Sequence, residues 1–537
     1  MKFYRRPTFS GVSRGLRRFI IGLAMKVLMG STLGMLIEVL AASDEQSLLA
    51  LGLMAFAFIL KLYYDFAGYG DMALGLASAL GFKLPGNLSS SLASKSILRL
   101  GKLCFITAAA WIRKIPLWAN LTAIAASIAL FHEAAWGGIQ KILQFGSAVF
   151  TLQSFSGVFS LYYLHSYAFV LAAAAIGATG IPAKFLKRIC RTRAVRRLSS
   201  VPLAVCLFVS TAFITDTISL HEASWISKQL HTVRAFTTFY VFRNLDSGGL
   251  FYDSRYGISR FEQRSEAQIA GQISESGRRL GTMFELFPDD AKVYLTVIPE
   301  KSHYTAHSRV AGNPHRAAEL VQAQLPPYVT TIDITPALTA DDFYRTDLHW
   351  CQTRLSREGG VIETLAAAMS FEPPPITDIS ELGGFFGVYY RQFALPLRPD
   401  VMQIRHAPNV RGFYLDERQS ALEMRPILIE GEVYSEQMLN SSDPYSVFLR
   451  GPQPILWLEN TDNNTGRTLY LFRDSFASSI APLLALSASY DTVVLIDLRY
   501  IDGRILDSFV EFESGADVLL LYSTQLLGNA TMFRGRG

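Results

Sequence analysis

The sequence predicts a chain in two parts: a multi-helix transmembrane domain over residues 1–217, then an extracytoplasmic α/β domain over residues 218–537. Three observations lead there. Charge is divided unevenly, with 22 Lys+Arg against 7 Asp+Glu in residues 1–217 and 28 against 38 in residues 218–537. Apolar runs of membrane length crowd the first part of a chain that is 50% hydrophobic. From about Asp216 the periodicity changes to short β-rich runs alternating with helical spacing, which argues for a mostly parallel α/β sheet. The basic excess sits in short loops, so it reports membrane topology rather than nucleic-acid binding.

Arg5, Arg6, Arg14, Arg17 and Arg18 precede the apolar run 19–40. More apolar segments follow and no small-residue cleavage site is evident. The run is therefore read as a first membrane helix with a cytoplasmic N-terminus, not a signal peptide. Lys26 and Glu38 lie inside it, so it does not face lipid all round. Residues 47–64 form the second run; 103–118, 121–131, 145–159 and 161–181 follow, and 201–214 is the last. Between the last two, Lys184, Lys187, Arg188, Arg191, Arg193, Arg196 and Arg197 stand without an acidic residue, which marks a cytoplasmic loop. The run 201–214 then carries the chain outward and leaves residues 218–537 outside the cytoplasm. Cys104, Cys190, Cys206 and Cys351 make no CxxC pair, so neither a disulfide framework nor a zinc site is expected.

In the second part, Gly248, Gly249 and Gly257 are turn positions of a strand–turn–strand entry over 249–261. Ile269, Ile273, Leu280 and Phe284 recur at helical spacing within 264–287. A strand over 292–298 stops at Pro299; a helix near 317–325 leads to a strand near 329–334, and a helix over 354–369 follows. Further strands are predicted over 455–458, 468–472, 493–496 and 518–521, with a helix over 477–486.

Two stretches carry chemistry. Asp347 and His349 lie in a loop after the strand near 329–334, and strand-end loops commonly hold functional residues. Ser475 comes shortly after the strand 468–472 and before an apolar helix. Its hydroxyl is thus exposed at a turn where a helix N-terminus can stabilise an oxyanion. A serine nucleophile needs a base and the base an orienting acid, and these three residues fit the roles. The turn is not a GxSxG elbow, and capping or simple hydrogen bonding is the other reading. The Ser475 N–H is the expected oxyanion donor, with Asn460 a second. Arg345, Arg391 and Arg398 suit an acidic sugar or plain solvation; Tyr389 and Tyr390 suit a glycan groove or the core. His303 and His307, near Lys301, suggest no complete metal-ligand set.

Residues 63–73, YYDFAGYGDMA, put two carboxylates among glycines and aromatics. Such groups face protein or a water-filled cavity, or else the stretch is a turn capping two helices. It resembles the YFDFSGYSDMAIG signature of the membrane-bound O-acyltransferases (MBOAT), in the branch that includes the alginate O-acetylation proteins. The likeness runs from RGLRRFIIGLAMKVLMGSTLG (14–34) through GFKLPGN (81–87) to ALFHEAAW (129–136). It implies that His132 is the counterpart of the family's active-site histidine. Residues 96–114, SILRLGKLCFITAAAWIRK, depart from the family: they hold no histidine and put Phe105 where the second one belongs. The chain also begins where the family is midway, so half of the acyl-transfer chamber is expected to be missing.

TDLHW (346–350) resembles the Asp-His-His-Trp block of the DHHW family, with Leu348 in place of the first histidine. VIPEKSHY (297–304), FFGVYYRQFALPLRPD (385–400), DPYSVFLRGPQPILWLEN (443–460), LYLFRDSFASSIAPLL (469–484) and VVLIDLRY (493–500) resemble that family's blocks in order. Arg450 stands where the family tends to have glycine. The DHHW family is similar to the SGNH-like alginate O-acetylation proteins. The resemblance implies an SGNH-hydrolase-like domain with Ser475 as nucleophile, His349 as base and Asp347 as its orienting acid.

Together the resemblances imply O-acetylation of a cell-surface or secreted polysaccharide. A separate, complete MBOAT acyltransferase would pass acetyl across the bilayer, from a donor such as acetyl-CoA, and no bound cofactor is expected. Membrane lipid and the polysaccharide are the other expected partners. A polysaccharide O-acetyl esterase is one alternative, with water as acceptor. A catalytically inactive, membrane-tethered glycan-binding or assembly protein is another.

Overall fold

Apolar sequence of membrane length must satisfy its own backbone, so it folds as helices. A computed structural model describes residues 6–43, 45, 47–82, 155–179, 200–215, 225–262, 264, 266–305, 312–393, 395, 397–416 and 425–535. The predicted runs 103–118 and 121–131, most of 145–159, the departing stretch 96–114, the basic loop 184–197, His132 and His307 lie outside those residues. The chain divides into two compact units, Met1–Ser247 and Gly248–Gly537, a later division than the charge boundary at 217/218.

Among the described residues of the first unit, three helices are long and apolar enough to cross a membrane. Helix α1 (Phe9–Ala42) holds a π-helical stretch at Met25–Gly30 and starts at Thr8, whose hydroxyl accepts from the Gly11 N–H at 3.2 Å. Helix α2 (Leu48–Ala79) starts at Ser47 in the same way, and α3 is Val158–Ala178. The 34, 32 and 21 residues of α1, α2 and α3 meet or exceed the ~20 that span a bilayer. Helix α4 (Ser200–Thr215), at the predicted last run, has 16 residues, and α5 (Trp225–Phe236) follows.

The signature stretch 63–73 is neither a turn nor the end of a span: it lies inside α2, which continues to Ala79. The helix continues because Arg18 and Lys26 of α1, together with its own Lys61, neutralise its carboxylates. Arg18 pairs with Asp71 at 2.7 Å, and Asp65 receives Lys26 at 2.8 Å and Lys61 at 2.7 Å. Close approach of the two backbones makes this reach possible: a Cβ on Gly22 would sit 2.6 Å from the Gly68 carbonyl oxygen.

The second unit is built on an eight-stranded sheet preceded by a hairpin, β1 (Leu250–Asp253) with β2 (Gly257–Arg260). Helix α6 (Glu266–Gly281) leads to β3 (Lys292–Ile298), and α7 (Pro314–Gln322), capped by Asn313, leads to β4 (Thr330–Thr331). Strand β4 is shorter than predicted: residues 332–334 leave the regular strand and lead into a tight turn at Thr335–Ala337, which contains Pro336. The helix predicted over 354–369 is shortened to α8 (Val361–Met369), with Gly359 and Gly360 just before it.

Beyond α8 come β5 (Ile379–Phe385), the short helix α9 (Val388–Phe393), β6 (Asp400–Arg405), β7 (Val410–Leu415) and β8 (Leu428–Gly431). The last third runs β9 (Ile455–Asn460), β10 (Thr468–Arg473), α10 (Ala477–Leu486), β11 (Thr492–Ile496) and β12 (Asp517–Ser523).

The sheet order is β4-β3-β12-β10-β11-β9-β7-β8, while β5 and β6 pair separately. The strands from β4 to β11 are parallel; β9, β7 and β8 add antiparallel neighbours. All of β12 is buried, as expected for a parallel strand covered on both faces. Alternate residues divide between two cores. Leu469 and Leu471 pack with Trp350, Leu365 and Ile480; Tyr470 and Phe472 pack with Leu280, Val321 and Phe533. This is a helix–sheet–helix sandwich with β10 near its centre, and the C-terminal edge of β10 is where the chemistry gathers.

Candidate active site

Strand β10 ends at Arg473, and α10 begins at Ala477. Asp474 fixes the turn between them: one carboxylate oxygen accepts the Phe476 N–H at 3.0 Å, the other the Ser523 N–H of neighbouring β12 at 2.8 Å. Behind the turn, the buried Arg473 guanidinium donates to Ser478 Oγ at 3.0 Å and lies 3.8 Å from Asp497. Ser475 is therefore held, half-buried, at the start of a ten-residue helix. Among the described residues its backbone N–H is taken up by no hydrogen bond, which leaves it available to an oxyanion.

The opposing loop, 343–350, closes on itself through an antiparallel bridge between Phe343 and Trp350. Several groups hold it. The Asp400 carboxylate accepts from the N–H groups of Arg345 and Thr346, at 3.0 and 2.8 Å, and from the Thr346 hydroxyl at 2.6 Å. Lys301, 2% exposed, donates to the carbonyls of Tyr344 (2.8 Å) and Asp347 (3.4 Å) from beneath. Burial drives the Lys301 ammonium down to about 8, against the opposing pull of Asp400 and Asp347.

The loop delivers Asp347 and His349 to Ser475. His349 Nδ1 lies 2.5 Å from Asp347 Oδ1, and His349 Nε2 lies 2.8 Å from Ser475 Oγ. Asp347, ionised, can only accept, so Nδ1–H donates to it and Nε2 is left to accept from the serine hydroxyl. Asp347 also receives the N–H of His349 at 2.9 Å and, on its second oxygen, the N–H of Val388 at 2.7 Å. Burial alone would raise the Asp347 carboxyl; the charge of His349 and these hydrogen bonds outweigh it and hold the group below its ordinary value. With Asp347 2% and His349 6% exposed, the pair is shielded from water while Ser475 is not.

No family model matches the chain. A curated protein of Pseudomonas aeruginosa, "Probable alginate O-acetylase AlgI", is 32% identical over 110 residues, which is 20% of this chain and 21% of that protein. The chain thus spans about a fifth of the length of the curated relatives it matches. A DHHW family protein from Eubacterium siraeum is 19% identical with a TM-score of 0.39, over 49% of this chain and 87% of that one. Bacillus cereus PatB1 is 16% identical with a TM-score of 0.39, over 53% and 99%. Both resemblances drawn from the motifs recur among these proteins.

The remaining predicted residues fall out differently. Tyr390 is half-buried, stacks on Phe386 (centroids 4.2 Å apart) and donates its N–H to the Thr346 carbonyl, so it borders the Asp347 loop. Arg345 and Arg391 are exposed, and their guanidiniums bond to the carbonyls of Ser254 and Ser441. Tyr389 is buried. Asn460 is overturned as an oxyanion donor: its N–H pairs with the Asp491 carbonyl, before the start of β11, and its amide caps Ala485 near the end of α10. It lies about 20 Å of strand away from Ser475.

Sequence reasoning missed Tyr445, whose ring stacks on His349, and gave no role to Lys301, Asp400, Asp474 or Gly387. A Cβ on Gly387 would lie 2.2 Å from both Cβ and Oδ2 of Asp347, so only glycine lets the Val388 N–H approach that carboxylate. Tyr445 and Gly387 lie within the blocks 443–460 and 385–400, which was the available signal.

Proposed function

We propose that this chain O-acetylates a cell-surface or secreted polysaccharide, with Ser475, His349 and Asp347 as a nucleophilic triad. The observation that carries the reading is His349 bridging Asp347 at 2.5 Å and Ser475 at 2.8 Å through its two different nitrogens. The partial similarity to a probable alginate O-acetylase supports the substrate class.

Ser475 Oγ attacks the acetyl carbonyl of the donor while His349 Nε2 takes the hydroxyl proton. The donor's leaving group departs with that proton, and Ser475 is left as its acetyl ester. A sugar hydroxyl then attacks this ester, gives its proton to His349, and the proton returns to Ser475 as the acetylated sugar leaves. Asp347 keeps the imidazole in the required tautomer and offsets its charge. The Ser475 N–H, at the N-terminus of α10, receives the developing oxyanion in both halves.

The proposal places residues 218–537 outside the cytoplasm. A complete membrane-bound acyltransferase supplies acetyl there, from acetyl-CoA on the other side. Arg345, Arg391 and Tyr390, around the Asp347 loop, are proposed contacts to the sugar. His132 is proposed only as the counterpart of the membrane-bound acyltransferases' active-site histidine.

Purified full-length protein in detergent should take a sulfonyl group from phenylmethylsulfonyl fluoride at Ser475. It should also move acetyl from p-nitrophenyl acetate to an oligosaccharide, and Ser475→Ala should do neither. A wild-type chain that neither labels nor turns over the ester rules the reading out.

A further inference from the structure

Beyond its two hydrogen bonds, His349 makes a ring contact of unusual shape. Tyr445 lies parallel to the imidazole, with centroids 3.7 Å apart and planes 4° apart. Two neutral aromatic rings avoid the face-to-face sandwich because their electron-rich faces repel, and they choose offset or edge-on arrangements instead. The neighbouring pairs follow that preference: Phe476 is inclined 59° to His349 at 4.9 Å, and Phe448 is inclined 54° to Tyr445 at 5.0 Å. A positive charge on one ring reverses the sign, since a cation over an aromatic face is attracted to it. The His349–Tyr445 geometry therefore suits an imidazolium better than a neutral imidazole.

The stack is also rigidly imposed. Tyr445, 4% exposed, lies in the tight turn Pro444–Val447. Asp443 accepts from the Tyr445 N–H at 3.3 Å, and the Val447 carbonyl accepts the Ser435 N–H at 2.9 Å. Immediately after, Leu449 and Arg450 take positive φ of 54° and 57°, a conformation that such residues hold only where the surroundings dictate it.

We propose that Tyr445 is a positioning residue for the Ser475 reaction. Its ring face holds the His349 imidazole in the plane that joins Asp347 to Ser475. It also stabilises the imidazolium formed when Ser475 gives up its proton. This rests on the triad reading above.

The test uses the full chain in detergent with p-nitrophenyl acetate. Tyr445→Leu, which keeps bulk without an aromatic face, lowers kcat about five- to thirtyfold with KM unchanged. Tyr445→Phe restores kcat. Pentafluorophenylalanine placed at 445 has nearly the shape of phenylalanine but an inverted quadrupole, and it does not restore kcat. If the leucine variant fails to fold, the phenylalanine and fluorinated rings carry the comparison by themselves. Equal kcat for those two rings overturns the proposal while ester turnover by the wild type keeps the triad reading. A wild-type chain that neither turns over the ester nor labels at Ser475 removes both.

Discussion

The indole N–H of Trp350 donates to the Phe476 carbonyl and to Ser479 Oγ, each at 3.0 Å, and so ties the loop that carries His349 to the helix that follows Ser475. The indole is fully buried and meets the Phe476 ring edge-on at 5.3 Å. His349 and Ser475 are therefore joined through their next neighbours in sequence as well as directly. Trp350→Phe keeps most of the bulk and removes the donor. It should cost about 1–3 kcal/mol in denaturant unfolding. Ester turnover should fall about tenfold or more, because a small misplacement of a base is felt strongly in rate. Turnover per folded molecule equal to wild type would show that the tie has no part in the reaction.

Gly387→Ala probes the other side of the carboxylate. The new methyl group would clash with Asp347, lying 2.2 Å from its Cβ and Oδ2. Either Asp347 turns away from His349 or the Val388 N–H withdraws from it, and in both cases the imidazole loses its orientation. A fall of about 10²-fold in kcat is expected. Sulfonylation of Ser475 should slow in parallel, and both are read on protein whose unfolding midpoint has been measured. A wild-type rate in the alanine variant would mean that the loop adapts and the close approach is dispensable.

What the sequence made legible follows from burial. The central parallel strands are apolar on both faces, so β3, β10, β11 and β12 read directly as short apolar runs. Strands β5 and β8 are largely exposed and chemically mixed, so nothing in their composition marks them. The carboxylates Asp65 and Asp71 read as an interruption of α2 because their partners, Lys26 and Arg18, lie 39 and 53 positions earlier. Asp347, His349 and Ser475 were visible by residue type and setting. Tyr445 was not, since a stacked ring leaves no local pattern: its phenol could equally have been core. The supports of the site, Asp400, Lys301 and Gly387, act through a few atoms at long range in the chain.

Acid and alkaline titrations should move stability in ways traceable to two residues. Asp347 is held below its ordinary 3.8 in the folded protein. Its contribution is thus fully present above that value and is lost as the pH falls through the lower, folded one. Asp347→Asn should flatten the acid side of the stability profile. At neutral pH it should also cut turnover by about 10³- to 10⁴-fold, since a side chain that can donate supports the wrong imidazole tautomer. Lys301 runs the opposite way. Its ammonium titrates near 8 when folded against an ordinary 10.5, so the unfolded chain binds that proton more tightly. Stability should therefore rise with pH across that window, by about 3 kcal/mol. Lys301→Met should abolish the rise, as read by urea unfolding at pH 7, 9 and 10.5. A wild-type slope in the methionine variant would assign the rise to other groups.

The ion pairs between α1 and α2 make a separate prediction about the first unit. Asp65 receives both Lys26 and Lys61, while Asp71 receives Arg18 and is 1% exposed. In apolar surroundings a charge without its partner costs far more than the pair does. Asp65→Asn leaves two ammonium groups facing each other where one carboxylate now separates them. It should lower stability in detergent by about 3 kcal/mol or more, seen as a lower midpoint in thermal unfolding. Adding Lys26→Met removes one of the stranded charges and should recover part of the loss, although Lys61 stays unpaired. The triple variant with Lys61→Met should recover most of it. That ordering separates an electrostatic cause from a packing one, because methionine keeps the length of the lysine side chain. Equal midpoints for the single, double and triple variants would mean that water or lipid headgroups already screen these lysines, and that Asp65 does not hold the two helices together.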